Sequence, residues 1–171
     1  MNMARGEGIE LAQLAAAVGA QLCGPAAGRV TGVHHDSRRV EPGDLFVARR
    51  GEQADGITYV PQAVSKGAAA VLAQRDHAPA VAAVPVLLVD DIRVAIGRAS
   101  ALVYGDPTAA LRVVGITGTN GKTTTSYLVR GALQGAGQRP GVLGTLGATF
   151  EDLRFAPLHT TPEADEVTRV A

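Results

Sequence analysis

The sequence predicts an α/β protein with a small, complete N-terminal α/β domain over residues 1–107 and the truncated start of a second, parallel-sheet domain over residues 108–171. Short apolar runs typical of buried strands alternate with segments of helical periodicity, and the alternation restarts at Leu111. Aromatic residues make up only 4% of the chain, against 46% for all hydrophobic residues. Ala, Val and Leu must therefore form the core, which suits layers of helix on sheet.

Three helices are predicted in the N-terminal domain from apolar residues that recur at helical spacing. They cover residues 9–20, about 61–67 and 92–104. A glycine follows or closes each segment as a stop signal: Gly19, Gly67 and Gly105. Asp90 or Asp91 is the predicted N-cap of the third helix, and Pro61 opens the second, where the first turn tolerates proline.

The strands of this domain are predicted from short apolar runs between turn signals. They lie within residues 28–40, where a strand leaves into a polar turn, and at 45–48, 68–74 and 86–89. The last run is apolar throughout, as expected of a strand whose sheet is covered on both faces. Between these strands, residues 50–56 are predicted to form a polar loop around Gly51 and Gly56.

The second domain is predicted to open with a strand over 111–117, a loop over 118–121 and a helix over 122–137. A further strand is predicted over 139–147 and a final helix from residue 162 onwards. The order strand, loop, helix, strand is the opening of a parallel-sheet unit. Because two strands cannot bury both faces of such a sheet, this domain is expected to be incomplete.

Charge and cysteine content exclude several classes of protein. The 16 basic and 16 acidic residues cancel, so no net charge attracts the chain to nucleic acid or to an anionic membrane. Cys23 is the only cysteine, which excludes an intrachain disulfide and predicts a small hydrophobe, buried or half-buried. No secretory signal opens the chain and no apolar stretch could span a membrane, so a soluble, cytoplasmic protein is expected.

The stretch "GITGTNGKTTT" (115–125) has the residues of a phosphate-binding loop. Gly118 and Gly121 allow successive amides to point into one hollow, and the following helix adds the positive end of its dipole. Lys122 suits the outer phosphates of ATP, and the Thr123 hydroxyl suits Mg²⁺. The strict pattern requires a glycine six residues before the lysine, where this chain has Ile116. The alternative is a glycine-rich turn with an exposed lysine.

The segment "TGTNGKTTT" resembles the phosphate loop of the Mur ligase superfamily, which includes folylpolyglutamate and cyanophycin synthetases. Residues 35–73, "GTLGATF" and "HTTPEA" are similar to its MurE-type members, which add the third amino acid to UDP-N-acetylmuramoyl-L-alanyl-D-glutamate. The resemblance implies a UDP-sugar-binding domain over 1–107 and the start of a P-loop ATPase domain at 108. It implies that ATP is bound by Gly118, Thr119, Asn120, Gly121, Lys122, Thr123 and Thr124, with Lys122 catalytic and Thr123 a Mg²⁺ ligand.

The same resemblance implies contacts with the nucleotide sugar. Ser37 of the "DSR" stretch would contact the uridine end, with His35 two positions before it. The local alternative is that Ser37 forms the turn by bonding its own backbone. Glu52, Gln53 and Ala54 would wrap the uracil and the diphosphate, or else form a polar surface turn. Many relatives have His in place of Glu52, which leaves a backbone contact open.

A third set of residues matches the family segment that touches the muramoyl sugar and its phosphates: His159, Thr160 and Thr161. The two threonines offer hydroxyl donors to an anionic substrate. Arg38 and Arg39 are predicted to balance local charge, with phosphate attraction as the alternative. No role is predicted for His34 or His77.

The chemistry that the resemblance implies is ATP-driven peptide-bond formation in peptidoglycan biosynthesis. The substrate carboxylate would become an acyl phosphate, and the amino group of meso-diaminopimelate, or alternatively L-lysine, would displace the phosphate. Lys122, the loop amides and Mg²⁺ would neutralise the transferring phosphoryl group. A composition rich in Ala, Arg and Gly favours diaminopimelate.

Mur ligases continue well beyond the residues matched here, so the chain is expected to be an N-terminal fragment that lacks turnover. A monomer is expected. Two alternatives stay open. Another ligase of the superfamily would share the phosphate loop but lack the domain that contains residues 35–73. A stand-alone nucleotide-sugar binding module would unfold cooperatively and be stabilised by ligand without ATP.

Overall fold

A five-stranded sheet, formed by strands within residues 21–89, organises the first part of the chain in the computed structural model. The structure describes residues 7–51, 54–80, 82–155 and 164–170. Four strands run parallel, in the order β4 (Gly32–His34), β5 (Asp44–Ala48), β6 (Ala70–Gln74) and β7 (Val86–Val89). β2 (Gln21–Cys23) pairs antiparallel with β7 and forms one edge, and β4 forms the other. The predicted α/β class is confirmed. The parallel sheet lies in the first part of the chain, whereas the strands described after residue 140 pair antiparallel.

Helices cover both faces of this sheet. α1 (Leu11–Val18) and α3 (Ile92–Tyr104) pack on one face, and α2 (Val60–Ser65) packs on the other. The side chains of β5 divide accordingly, with Leu45 and Val47 on the α1 and α3 face and Phe46 and Ala48 on the α2 face. Because successive side chains point to opposite faces, a strand covered on both sides can be apolar at consecutive positions, as the residues from Leu45 to Ala48 are. Each large side chain buried in this way contributes roughly 1.5–3 kcal/mol.

Both ends of α3 follow the predicted signals. The Asp91 carboxylate accepts hydrogen bonds from the backbone N–H groups of Arg93 (2.9 Å) and Val94 (3.1 Å), so Asp91 is the N-cap of α3 and Asp90 is not. Gly105 ends α3 in the left-handed conformation at φ +77°.

The helix predicted over residues 9–20 is shorter than expected at its N-terminus. Ile9 and Glu10 form β1 (Ile9–Glu10), which pairs antiparallel with β3 (Arg29–Val30) in a separate two-stranded sheet. The helix begins only at Leu11 and ends at Gly19, whose φ is +68°. Pairing with a strand about 20 residues later therefore overrides the helical spacing at these two positions.

The predicted strand over 111–117 is wrong. These residues pair with none of the described strands, and the side chains of Val113 and Val114 are 72% and 69% exposed. A β-strand is stabilised by ladder hydrogen bonds and by burial of its side chains, and neither occurs without a neighbouring strand. The apolar run shows that the segment could lie inside a sheet, but it forms no strand because none of the described strands pairs with it.

The strand predicted over 139–147 is also corrected. It divides into β8 (Gly141–Gly144) and β9 (Gly147–Phe150), which pair antiparallel, and β10 (Leu153–Phe155) extends this sheet to three strands. The loop between β8 and β9 has only two residues, Thr145 and Leu146, and so short a loop joins only antiparallel strands. Gly147 follows the loop at φ +95°, where a side chain would strain the backbone.

Two helices complete the described structure. α4 (Lys122–Gly135) follows the glycine-rich loop as predicted and contacts β8. α5 (Ala164–Val170) packs against α3, with the Ala164 Cβ at 4.0 Å from an ideal Cβ position on Gly97. Among the described residues, no helix is both long and apolar enough to cross a bilayer.

The prediction for Cys23 is wrong. Its side chain is exposed, because Cys23 ends β2 at the edge of the five-stranded sheet, and it forms no disulfide. The short strand β2 has no apolar run that would have revealed it.

Candidate functional site

The glycine-rich loop leads directly into α4. Gly121 is the N-cap residue of the helix at φ +77°, and Gly118 adopts φ +151°, so both glycines lie where side chains are disfavoured. The first helical hydrogen bond runs from the Thr125 N–H to the Gly121 carbonyl at 2.8 Å. The N–H groups of the first turn, from Lys122 to Thr124, therefore lack helical acceptors and are available to an anion.

Lys122 folds back over this loop. Its Nζ donates a hydrogen bond to the Gly118 carbonyl at 2.6 Å, across four residues. The side chain is exposed, so an anion can reach the ammonium group from solvent. The ammonium group, the glycine-permitted backbone and the start of α4 thus meet at one place.

Thr123 contacts Thr145, a residue for which the sequence predicts no role. The Thr123 Oγ1 lies 3.0 Å from the Thr145 Oγ1 in the loop between β8 and β9. This contact ties the first turn of α4 to the three-stranded sheet. Thr145 lies within the "GTLGATF" segment, but only the folded structure shows which of its residues reaches the phosphate loop.

The "DSR" stretch follows the carboxyl end of β4. Asp36 caps a 3-10 helix, Ser37–Arg39, by accepting a hydrogen bond from the Arg38 N–H at 2.9 Å. The Arg38 guanidinium also binds both carboxylate oxygens at 2.9 Å, and these bonds lower the pKa of Asp36 to about 2. Asp36 therefore forms the turn. Ser37 is buried, and its hydroxyl donates instead to the Gln62 Oε1 of α2 at 2.7 Å.

His35 joins the end of β4 to α5. Its Nδ1 lies 2.9 Å and 3.1 Å from the two carboxylate oxygens of Asp165, whose side chain is only 1% exposed. Burial is the largest influence on the pKa of His35 and lowers it. The hydrogen bond and charge of Asp165, with the charge of Glu166, outweigh burial and raise the pKa above its usual 6.5.

A second ion pair lies beside the first. Arg39 Nη1 is 3.8 Å from the Glu166 carboxylate, whose side chain is 3% exposed. With Arg38 held by Asp36 and Arg39 by Glu166, the prediction that both arginines balance local charge is confirmed. The first turn of α5 thus places two buried carboxylates against His35 and Arg39, which lie two positions before and after Ser37 in the sequence.

The polar loop over residues 50–56 follows the carboxyl end of β5 and is closed at its base. The Gly51 N–H bonds the Ala54 carbonyl and the Gly56 N–H bonds the Arg49 carbonyl, both at 2.9 Å. Ala54 is exposed, whereas the candidate residues Glu52 and Gln53 lie outside the described residues. The same holds for the candidates His159, Thr160 and Thr161.

His77 fixes this loop, although the sequence analysis gave it no role. Its Nε2 lies 2.8 Å from the Asp55 carboxylate, and its Nδ1 lies 3.1 Å from the Arg50 guanidinium. Because a guanidinium can only donate, Nδ1 accepts from Arg50 and Nε2–H donates to Asp55. The hydrogen bond from His77 is also the main cause of the lowered pKa of Asp55.

Two groups of candidate residues thus emerge. His35, Ser37 and the loop over 50–56 follow the carboxyl ends of the adjacent parallel strands β4 and β5, so they lie along one edge of the sheet. In open α/β sheets, ligands bind outside the carboxyl ends of the strands. The residues from Gly118 to Thr124 form the other group, at the start of α4.

Two models of known protein families match the parts of the chain that contain these two groups. A model described as "Mur ligase family, catalytic domain" matches residues 29–104, and one described as "Mur ligase middle domain" matches residues 116–171. The chain belongs to the Mur ligase family. Matches to a Mur ligase model thus include both the parallel sheet and the glycine-rich loop.

Curated Mur ligases with similar sequences carry closely related names. The chain is 42% identical over 144 residues to the UDP-N-acetylmuramoyl-L-alanyl-D-glutamate--2,6-diaminopimelate ligase of Syntrophomonas wolfei, which covers 84% of the chain and 29% of that protein. The enzyme of the same name from Streptomyces coelicolor is 46% identical over 81% of the chain and 28% of its own length. The UDP-N-acetylmuramyl-tripeptide synthetase of Deinococcus radiodurans is 45% identical over 81% of the chain and 29% of its own length. The chain therefore spans less than a third of these relatives.

Solved Mur ligase structures are similar as well. A UDP-N-acetylmuramoyl-L-alanyl-D-glutamate--2,6-diaminopimelate ligase superposes with a TM-score of 0.64 at 30% identity, over 82% of this chain and 28% of that one. UDP-N-acetylmuramoylalanyl-D-glutamyl-2,6-diaminopimelate--D-alanyl-D-alanyl ligase from Acinetobacter baumannii superposes with a TM-score of 0.57 at 30% identity, over 78% and 29%. The chain thus shares its fold with part of these ligases.

Proposed function

We propose that this chain provides the nucleotide-sugar domain and the phosphate loop of an ATP-dependent ligase. This ligase adds the third amino acid to UDP-N-acetylmuramoyl-L-alanyl-D-glutamate in the cytoplasm. The observation that carries the proposal is the position of Lys122, whose ammonium group lies over a glycine-built loop at the start of a 14-residue helix. The names of the related sequences support the reaction.

The phosphate loop fits the triphosphate of ATP on its own chemistry. The free N–H groups at the start of α4 and the positive end of the helix dipole favour a polyanion. Lys122 adds a full positive charge, and its present acceptor, the Gly118 carbonyl, is a neutral group that a phosphate oxygen replaces as the stronger acceptor. Lys122 would bind the outer phosphates, and the residues from Gly118 to Thr124 would surround the triphosphate.

Thr123 is the residue proposed to ligate Mg²⁺. Its side chain is a hydroxyl, and Mg²⁺ prefers hard oxygen ligands. The contact with Thr145 fixes the position of this hydroxyl beside the loop. When bound, Mg²⁺ would neutralise part of the negative charge of the phosphates.

The nucleotide sugar is proposed to bind along the carboxyl ends of β4 and β5. Ser37 and His35 stand at the end of β4, and Ala54 belongs to the loop after β5. The charge of Arg49 acts on His35, so a positive charge lies close to the proposed site of the diphosphate. Glu52, Gln53, His159, Thr160 and Thr161 complete the proposed set on the resemblance alone.

The reaction proposed is amide-bond formation through an acyl phosphate. ATP, when bound, transfers its γ-phosphoryl group to the substrate carboxylate, and the amino group of the incoming amino acid then displaces phosphate. Two relatives are named as 2,6-diaminopimelate ligases, which favours meso-diaminopimelate over L-lysine as the added residue. Because the chain spans less than a third of these relatives, we propose that it binds ligands without turnover.

Isothermal titration of the chain with UDP-N-acetylmuramoyl-L-alanyl-D-glutamate tests the substrate assignment. The wild-type chain should bind. Ser37→Ala should weaken binding about tenfold or more, because a hydrogen bond in a desolvated site is worth about 1–3 kcal/mol. Ser65→Ala is the matched control on α2 and should bind like the wild type, since its hydroxyl bonds only its own helix at the Gln62 carbonyl. No binding by the folded wild-type chain would contradict the proposal.

A further inference from the structure

The hydrogen bond between Ser37 and Gln62 links the two residues across 25 positions of sequence. Ser37 is only 6% exposed, whereas Gln62 lies on the exposed side of α2. The donor and acceptor are 2.7 Å apart, with the serine hydroxyl donating to the amide oxygen. Gln62 is not among the residues proposed above to contact the nucleotide sugar.

The backbone of each partner is held in place independently: that of Gln62 by the packing of α2, and that of Ser37 by a helix cap. Val60 and Ala63, on either side of Gln62, are 3% and 0% exposed and anchor α2 against the sheet. On the other side, the Asp36 cap holds the 3-10 helix that begins at Ser37. The contact therefore joins two elements that are each positioned independently of it.

This hydrogen bond decides which role the serine can play toward a ligand. A serine hydroxyl has one proton and two lone pairs, and a carboxamide oxygen can only accept. Since the single proton points to Gln62 Oε1, the Ser37 oxygen can offer only lone pairs to a bound molecule. Ser37 is thus set as an acceptor.

We propose that Gln62 is a positioning residue that makes Ser37 an acceptor and thereby selects uracil over cytosine. The inference rests on the proposed binding of a uridine nucleotide at Ser37. Uracil carries an N–H donor at N3, which an acceptor hydroxyl satisfies. Cytosine has an unprotonated N3 that also accepts, so two acceptors would face each other without a proton between them.

Substitutions of opposite hydrogen-bonding polarity test this role. Gln62→Glu keeps an acceptor at the end of the side chain, whereas Gln62→Lys offers only donors. With lysine at this position the Ser37 hydroxyl accepts from the ammonium group and its own proton becomes free for the ligand. Gln13→Lys, on the exposed side of α1, is the control for adding a positive charge elsewhere.

The measurement is the ratio of the Kd of CDP to the Kd of UDP for each form of the chain, by isothermal titration. The charges introduced by Glu and Lys act equally on the two diphosphates, so they cancel in the ratio. The ratio should be about tenfold or more for the wild type, for Gln62→Glu and for Gln13→Lys, and close to one or inverted for Gln62→Lys. Urea unfolding of each variant confirms that it is folded.

The outcomes separate the inference from the function on which it rests. If the folded wild-type chain binds neither UDP nor CDP, the proposed nucleotide-sugar site is wrong and the role of Gln62 falls with it. If the wild type prefers UDP and Gln62→Lys retains the same preference, the role of Gln62 alone is wrong. Loss of the preference in Gln62→Glu as well would show that Gln62 acts through packing and would likewise overturn the inference.

Discussion

His35 and Asp165 are 130 residues apart in the sequence, and His35 Nδ1 lies 2.9 Å from the Asp165 carboxylate. The pair joins the end of the first parallel strand to the first turn of α5, with Arg39 and Glu166 as a longer second pair beside it. Asp165 and Glu166 are 1% and 2% exposed, so both acids are removed from water when α5 packs on α3. Removing one partner of a buried ion pair commonly costs roughly 3–5 kcal/mol.

Stability is predicted to fall as the pH rises through the pKa of His35 in the folded chain. Asp165 and Glu166 raise that pKa above 6.5, so the folded state holds the proton more tightly than the unfolded state. The stabilisation of the folded state by protonated His35 is fully present below about pH 6.5 and is lost once the pH exceeds the pKa of His35 in the folded chain. The charges that face His35 are Asp165, Glu166 and Arg49, together with Asp36 beside it in sequence.

Urea unfolding of the wild type and of His35→Gln between pH 5.5 and about pH 9 measures this effect. The difference in the free energy of unfolding should be largest at the acid end and shrink as the pH rises. Asp165→Asn should lose the same pH-dependent part, because its side chain carries no charge. A wild-type advantage over His35→Gln that grows with pH would contradict the assignment.

Gly56 is predicted to tolerate no side chain. A Cβ on Gly56 would lie 2.6 Å from the Arg49 carbonyl oxygen and 2.7 Å from the Arg49 nitrogen, and backbone atoms cannot rotate away. Gly56→Ala should therefore cost about 1–3 kcal/mol and weaken binding of UDP by displacing the loop over 50–56. The matched control is Gly131→Ala in α4, where no atom lies within 4 Å of the new Cβ. This control should raise helix content by circular dichroism, since alanine is about 1 kcal/mol better than glycine within a helix.

His77→Ala is predicted to weaken UDP binding several-fold without unfolding the chain. The imidazole holds Asp55 and Arg50 at the base of the loop, and all three side chains lie at the surface or are only partly buried. Loss of the imidazole should leave the loop less well ordered. Binding of UDP then has to order the loop, and the entropy lost in doing so weakens the affinity. Titration with UDP and thermal unfolding are measured together. A large loss of Tm with unchanged UDP affinity would assign His77 to the stability of the domain and not to the loop.

Tyr104 is predicted to protect the free edge of the five-stranded sheet. Its hydroxyl accepts a hydrogen bond from the Val33 N–H at 3.0 Å and donates to the Val33 carbonyl at 3.4 Å, on the side of β4 away from β5. Tyr104→Phe should lower the free energy of unfolding by about 1–3 kcal/mol, because the edge groups of a largely buried residue lose this partner. Tyr127→Phe in α4 makes the same chemical change away from the sheet and should be close to neutral. Equal effects of the two substitutions would contradict the role of Tyr104.

The sequence predicts well those elements whose signals are local. The apolar runs that became β5, β6 and β7 lie within each strand, and the Asp91 cap and Gly105 bound α3 from its two ends. The glycine-rich loop before α4 is likewise contained in a few consecutive residues. In such cases the pattern and the structure depend on the same neighbouring residues.

Elements that depend on distant partners were missed or predicted wrongly. β2 is three residues long and is a strand because Leu22 pairs with Leu87. Residues 111–117 have the composition of a buried strand but no described neighbour to pair with. The contacts of Ser37 with Gln62 and of His35 with Asp165 likewise span 25 and 130 positions, which no local pattern records.

Binding of ATP to the chain tests the central claim most directly. Isothermal titration with Mg²⁺ and ATP should show binding by the wild type and by Arg112→Ala, which removes an exposed positive charge just before the loop. Lys122→Ala should weaken binding about tenfold or more, because it removes a charge-assisted hydrogen bond to the phosphates. Equal binding by Lys122→Ala and Arg112→Ala, or no binding by the folded wild type, would contradict the account.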